Sequence, residues 1–131
     1  MINKKTDLPY QHLGFWEDSC SLEEFYKWCG TVEPWKRELA QMIVTGDFKS
    51  VLDIGCGVGV MKDILDQVKY PSEYCYVGTE ITPQFITECR SKDIPTRSVD
   101  VRDMSIFKDK EFECVLCLDV LNHQTEDPHT L

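Results

Sequence analysis

The chain has 131 residues, 42% of them hydrophobic and 28% charged, the balance of one small globular domain rather than a disordered tail. Fourteen Lys and Arg against 23 Asp and Glu give a net charge of −9, which repels a phosphate backbone and counts against a nucleic-acid substrate. No apolar run is long enough to span a membrane, and the seven scattered cysteines read as reduced thiols of a cytoplasmic protein.

Ser21-Leu22-Glu23-Glu24 is a capping box that opens a helix, and Gly30 is placed to close it. Pro34 suits a first helical turn, so a second helix is predicted through Trp35, Leu39, Met42 and Ile43 to Gly46. These two helices make an N-terminal segment, 1–47, ahead of a core at 48–131, both within a single domain. Ser50–Ile54 is predicted as the first strand, followed by a helix carrying Val60, Ile64, Leu65 and Val68. Tyr74–Thr79 is the second strand and ends at Glu80. Thr82 and Pro83 then supply the N-cap and first turn of a helix through Phe85, Ile86 and Cys89. Thr96–Val99 makes a short third strand ending at Asp100, and Glu111–Leu118 a fourth. Strands alternating with helix-length segments mean βαβ units and a mostly parallel sheet.

The run Val51-Leu52-Asp53-Ile54-Gly55-Cys56-Gly57-Val58-Gly59 is a buried strand that breaks into a glycine turn and resumes as a helix. Such a turn lets a ligand approach the backbone closely, at the carboxyl edge where parallel sheets bind nucleotide-type cofactors. The spacing departs from a dinucleotide loop, because Val60 stands where that loop wants a third Gly or Ala. It departs from a phosphate-cradling loop too, since Met61-Lys62-Asp63 lacks the Lys-Ser/Thr ending. Three strands end in an acid at the same edge: Asp53, Glu80 and Asp100. Cys114 and Cys117 form a C-x-x-C with no second ligand pair, so no metal site is expected.

The D-x-G-x-G-x-G segment resembles motif I of the class I S-adenosylmethionine-dependent methyltransferases, and three further segments match in order as far as His123. The resemblance implies a Rossmann-like, three-layer α/β/α fold with strand order 3-2-1-4, and S-adenosyl-L-methionine as cofactor. It implies that Glu80 accepts the two ribose hydroxyls and that Ile81 packs on the adenine face. Asp100 would take the adenine amine and the Val101 amide a ring nitrogen, with Asp103 as an alternative acid. Asp53 and the backbone of Gly55, Cys56, Gly57 and Gly59 would hold the methionine half. Leu118 and Asp119 would sit beside the reactive methyl, with His123 one helical turn further on. His123 reads more readily as a packing or capping residue, and no catalytic residue is fixed. Trp16 and Trp35 are expected in the core and Arg37 on the surface.

The family sheet has seven strands and this sequence carries four, so the substrate half of such an enzyme is largely missing. A fragment, or a chain completed by a second copy over the fourth-strand edge, fits that shortfall. The sequence thus supports a methyltransferase, or its cofactor-binding portion, acting on a small molecule. The alternative is a non-catalytic module that binds the same cofactor, with a dinucleotide-dependent oxidoreductase a distant third.

Overall fold

The computed structural model describes residues 21–69 and 73–118. Helix α1 spans Leu22–Thr45, and Ser21 caps it by accepting the Glu24 amide at 3.2 Å. The two predicted N-terminal helices are therefore one, with Gly30 and Pro34 inside it. The correction has a physical reason. On a single helix Phe25, Cys29, Ala40 and Ile43 fall within about 60° of one another, so one continuous stripe buries all four. Burying Phe25 and Ile43 contributes about 1.5–3 kcal/mol each, against penalties of about 3 kcal/mol for an interior proline and about 1 for glycine. The strain is also placed where it does least harm. Proline crowds the carbonyl four residues earlier, which here belongs to exposed Gly30, and nothing lies within 4 Å of the space its Cβ would fill.

The core follows as β1 (Ser50–Ile54), α2 (Val60–Lys69), β2 (Cys75–Glu80), α3 (Pro83–Ser91), β3 (Thr96–Ser98) and β4 (Cys114–Cys117). All pairings are parallel and the order is β3-β2-β1-β4, the Rossmann-like order that the family resemblance implies. β1 sits between two neighbours, which is why Val51, Leu52 and even Asp53 are buried. β4 forms one edge of this sheet, and Val115 is 56% exposed there.

Helix α1 contributes to two cores. Its C-terminal half puts Ala40 and Ile43 into the main cluster with Val51, Ile64, Leu65 and Leu116. Its N-terminal half packs Phe25 and Cys29 against Val58 and Phe85, beside the glycine turn. Trp35, expected in the core, is 41% exposed, whereas Arg37 is at the surface as expected and pairs with Glu33 at 2.7 Å. Among the described residues no helix is long and apolar enough to cross a membrane, and no group of three or more potential metal ligands comes together.

Candidate functional site

Register assembles the site. Ile54 pairs with Thr79 on one side and Cys117 on the other, and Glu80 pairs with Ser98. One residue further on, Gly55, Glu80 and Leu118 stand in a row at the carboxyl edge of the sheet. The turn leaving β1 needs left-handed backbone, with φ of 60° at Gly57 and 84° at Gly59. A Cβ on Gly59 would lie 2.4 Å from Ile94 Cδ1, and one on Gly57 would lie 3.1 Å from the Phe25 ring. Both glycines therefore face protein as well as the edge. Their small size lets α1 and the segment after α3 close against the loop, a use the sequence reading did not foresee.

β2 holds the turn in place. The Gly55 amide donates to Thr79 Oγ1 at 3.3 Å, and the Cys56 amide to the Thr79 carbonyl at 2.8 Å. Glu80 accepts from the Gly57 amide at 2.9 Å through one carboxylate oxygen. Its other oxygen accepts from the Ile81 and Thr82 amides at 2.9 and 3.0 Å. Ile81 is half-buried beside it. Thr79 is 1% exposed and was not foreseen as a site residue; the buried strand-end threonine before the acid was the available signal.

Asp53 is 3% exposed, and Tyr76 donates to its Oδ2 at 2.6 Å. Burial pushes its carboxyl up to about 6; the Tyr76 hydroxyl and the charge of Lys36 hold it down, and Glu80 raises it. Tyr76 itself is pushed far above its ordinary range by burial and by Asp53, so it remains a donor. Cys56 and Cys89 bring their sulfurs to 4.0 Å beneath the loop, and the Cys89 thiol donates to the Gly57 carbonyl at 3.1 Å.

The other flank is built differently. Asp100 accepts the Arg102 amide at 2.7 Å, and its second oxygen lies 3.3 Å from the Arg102 guanidinium. Val101 is half-buried between them. Asp103 is exposed and accepts the Ser105 amide at 3.2 Å, a turn-forming bond like the one between Asp100 and the Arg102 amide. Leu118 is half-buried just past β4. Asp119 and His123 lie outside the described residues, as does Trp16.

The acceptors concentrated here select a type of ligand. Two carboxylates and a buried hydroxyl at a glycine turn suit hydroxyl donors and a cation and oppose a pyrophosphate. Glu80 uses three of its roughly four acceptor positions, so it keeps room for a hydroxyl beside Gly57. These residues fit S-adenosylmethionine, which carries ribose hydroxyls, an ammonium and a sulfonium, better than they fit a dinucleotide.

Solved structures of known proteins share the fold. The sugar N-methyltransferase KedS8 from Streptoalloteichus is 24% identical over 75% of this chain, with a TM-score of 0.53, and 39% of its own length is matched. An S-adenosylmethionine-dependent methyltransferase from Clostridium acetobutylicum is 16% identical over 75%, with a TM-score of 0.54. The plantazolicin methyltransferase BamL, solved with a substrate analogue and SAH, is 15% identical over 86%, with a TM-score of 0.56. At these identities the likeness is one of fold, and the chain spans less than half the length of each structure. No curated protein matches. The family model described as a methyltransferase domain aligns with residues 52–131, from the middle of β1 through the glycine turn and all that follows it. With its sheet order, its glycine turn and this match in agreement, the chain belongs to the methyltransferase domain family.

Proposed function

We propose that this chain is the cofactor-binding portion of an S-adenosylmethionine-dependent methyltransferase of the cytoplasm, acting on a small-molecule acceptor. The observation that carries the reading is the tie between Glu80 and the glycine turn: an acid at the end of β2 with one oxygen on the Gly57 amide. Glu80 takes a ribose hydroxyl at that point, and Ile81 lies along the adenine. Asp100 takes the adenine amine, with the Val101 amide on a ring nitrogen, once the Arg102 guanidinium gives way. Asp53 and the backbone of Gly55, Cys56, Gly57 and Gly59 hold the methionine half, and Leu118 borders the methyl.

S-adenosylmethionine supplies a methyl carbon already activated by a positive sulfur. The chain's own part is to align that carbon with the acceptor and to exclude water, through Phe25 and Phe85 on one side and Leu118 on the other. A general base is needed only where the acceptor arrives protonated. The acidic total charge and the small-molecule substrate of the KedS8 sugar methyltransferase support the choice of acceptor class. A second copy over the exposed β4 edge is the partner that this edge would accommodate.

Calorimetric titration tests the reading. Micromolar binding of S-adenosylmethionine that weakens at least tenfold in Glu80→Ala, about 1.4 kcal/mol, with no binding of NAD, is the expected result. Equal affinity in the two chains would overturn the role of Glu80. Binding without methyl transfer to any acceptor would favour a non-catalytic binding module.

A further inference from the structure

Gly78 lies opposite Asp53 in the β1–β2 pairing, and Tyr76 is two residues before it on the same face of the sheet. Because Gly78 has no side chain, its place is filled by neighbours. A Cβ there would lie 2.5 Å from Cys56 Sγ and 3.4 Å from the ring atom Cε1 of Tyr76. The Tyr76 ring thus runs along the bare strand toward the carboxyl edge, and its hydroxyl meets Asp53 Oδ2 at 2.6 Å. Both residues are buried, at 3% exposure each. A buried phenol beside a buried carboxylate fixes which way that carboxylate is turned.

We propose that Tyr76 is a positioning residue: it pins one oxygen of Asp53 and so turns the other toward a cationic group of the bound ligand, keeping the acid ionised to receive it. The proposal rests on the reading of the site as one for S-adenosylmethionine, whose ammonium is the cation in question. Asp53 needs this help because its surroundings oppose its charge. Burial and Glu80 at the end of β2 disfavour the carboxylate, while Tyr76 on β2 and Lys36 on α1 favour it. Cys56 in the turn and Cys117 on β4 also face it: the Cys89 hydrogen bond and burial hold the Cys56 thiol up, burial holds the Cys117 thiol up, and the Asp53 charge adds to both. Removing the phenol hydroxyl takes away the nearest group that favours ionisation. Asp53 then titrates at higher pH and is free to turn.

The test compares wild type with Tyr76→Phe, which keeps the ring and its packing. In the chain without ligand, the Asp53 carboxyl is followed by 13C NMR between pH 4 and 8, and its midpoint is expected to move to higher pH in the variant. Calorimetric binding of S-adenosylmethionine over the same range is expected to weaken on acidification, with the same upward move in midpoint. At neutral pH the variant binds about tenfold more weakly, the size of one charge-assisted hydrogen bond. Glu80→Ala serves as control: it lowers affinity at every pH and, by removing a charge that disfavours the Asp53 carboxylate, moves the midpoint to lower pH, opposite to Tyr76→Phe. An unchanged Asp53 midpoint in a folded Tyr76→Phe chain overturns the proposal, as does weaker binding with an unmoved pH profile. A wild-type chain that binds no S-adenosylmethionine at any pH overturns the cofactor reading and the ligand-facing half of this proposal. The carboxyl titration needs no ligand, so it tells the two failures apart.

Discussion

The two flanks of the carboxyl edge are held in opposite ways. On the β1–β2 flank, backbone amides of the glycine turn are bonded across strands, to Thr79 and Glu80, and Asp53 is fixed by Tyr76. On the flank after β3, Asp100 is satisfied by Arg102 only two residues away, and both remain partly exposed. The first flank is tied to the core and is already in shape. The second is a local arrangement that a ligand must rearrange, which an exposed pair worth about 0–1 kcal/mol permits. Preorganisation in this protein lies on the side that would hold the ribose and methionine half, where misplacement would be most damaging to alignment.

Substitutions can break or sharpen that contrast. The largest effect is expected at Gly59→Ala, where left-handed backbone and the Ile94 contact add up to about 3 kcal/mol. Urea unfolding would show it as a lower midpoint; a loss below about 1 kcal/mol would mean that Ile94 moves aside freely. Asp53→Asn should act in the other direction on stability. The folded carboxyl titrates at about 6 against an ordinary 3.8, so the native state binds more protons between these values. The contribution of Asp53 to stability is therefore full below pH 3.8 and is lost as pH rises through 6. Asn should remove this slope and stabilise the chain at pH 8 by on the order of 1–3 kcal/mol, while weakening binding of S-adenosylmethionine. Parallel melting curves at pH 5 and pH 8 would check it, and a gain at pH 5 as large as at pH 8 would refute the linkage.

Glu80→Gln comes next. The amide replaces one acceptor oxygen by a donor, which must face a backbone N–H, so a tenfold loss of cofactor affinity, about 1.4 kcal/mol, is expected. The smallest effect belongs to Arg102→Ala on the open flank. It frees Asp100, and affinity measured by titration should rise two- to threefold, within about 1 kcal/mol. A large loss instead would mean that Arg102 holds ligand directly and that the flank is less open than its contacts suggest.

The strand-to-turn-to-helix passage at Gly55 to Val60 and the acids at the strand ends were legible because they depend on local signals, whereas the order of the sheet followed only from the family resemblance. A β-branched run, glycines at alternate positions and a Thr-Pro helix start each act through the nearest few residues. The misplaced helix boundary in α1 shows the limit of such signals. Gly30 and Pro34 are honest local breakers, yet Phe25, Cys29, Ala40 and Ile43 share one face only if the helix runs on, and that gain comes from residues far away in the chain. Trp35 was misjudged for the same reason, because composition cannot say which face a helix turns inward.

The sequence by itself determined that a glycine turn follows the first strand and that Asp53, Glu80 and Asp100 stand at strand ends, since these follow from chain order. Only the tertiary structure decided what each acid does there. Asp53 meets Tyr76 across a bare Gly78, Glu80 reaches back to the Gly57 amide, and Asp100 stays with Arg102. Those partners are set by strand register and by which side chains are small enough to leave room. Both are properties of the packed sheet rather than of any one segment.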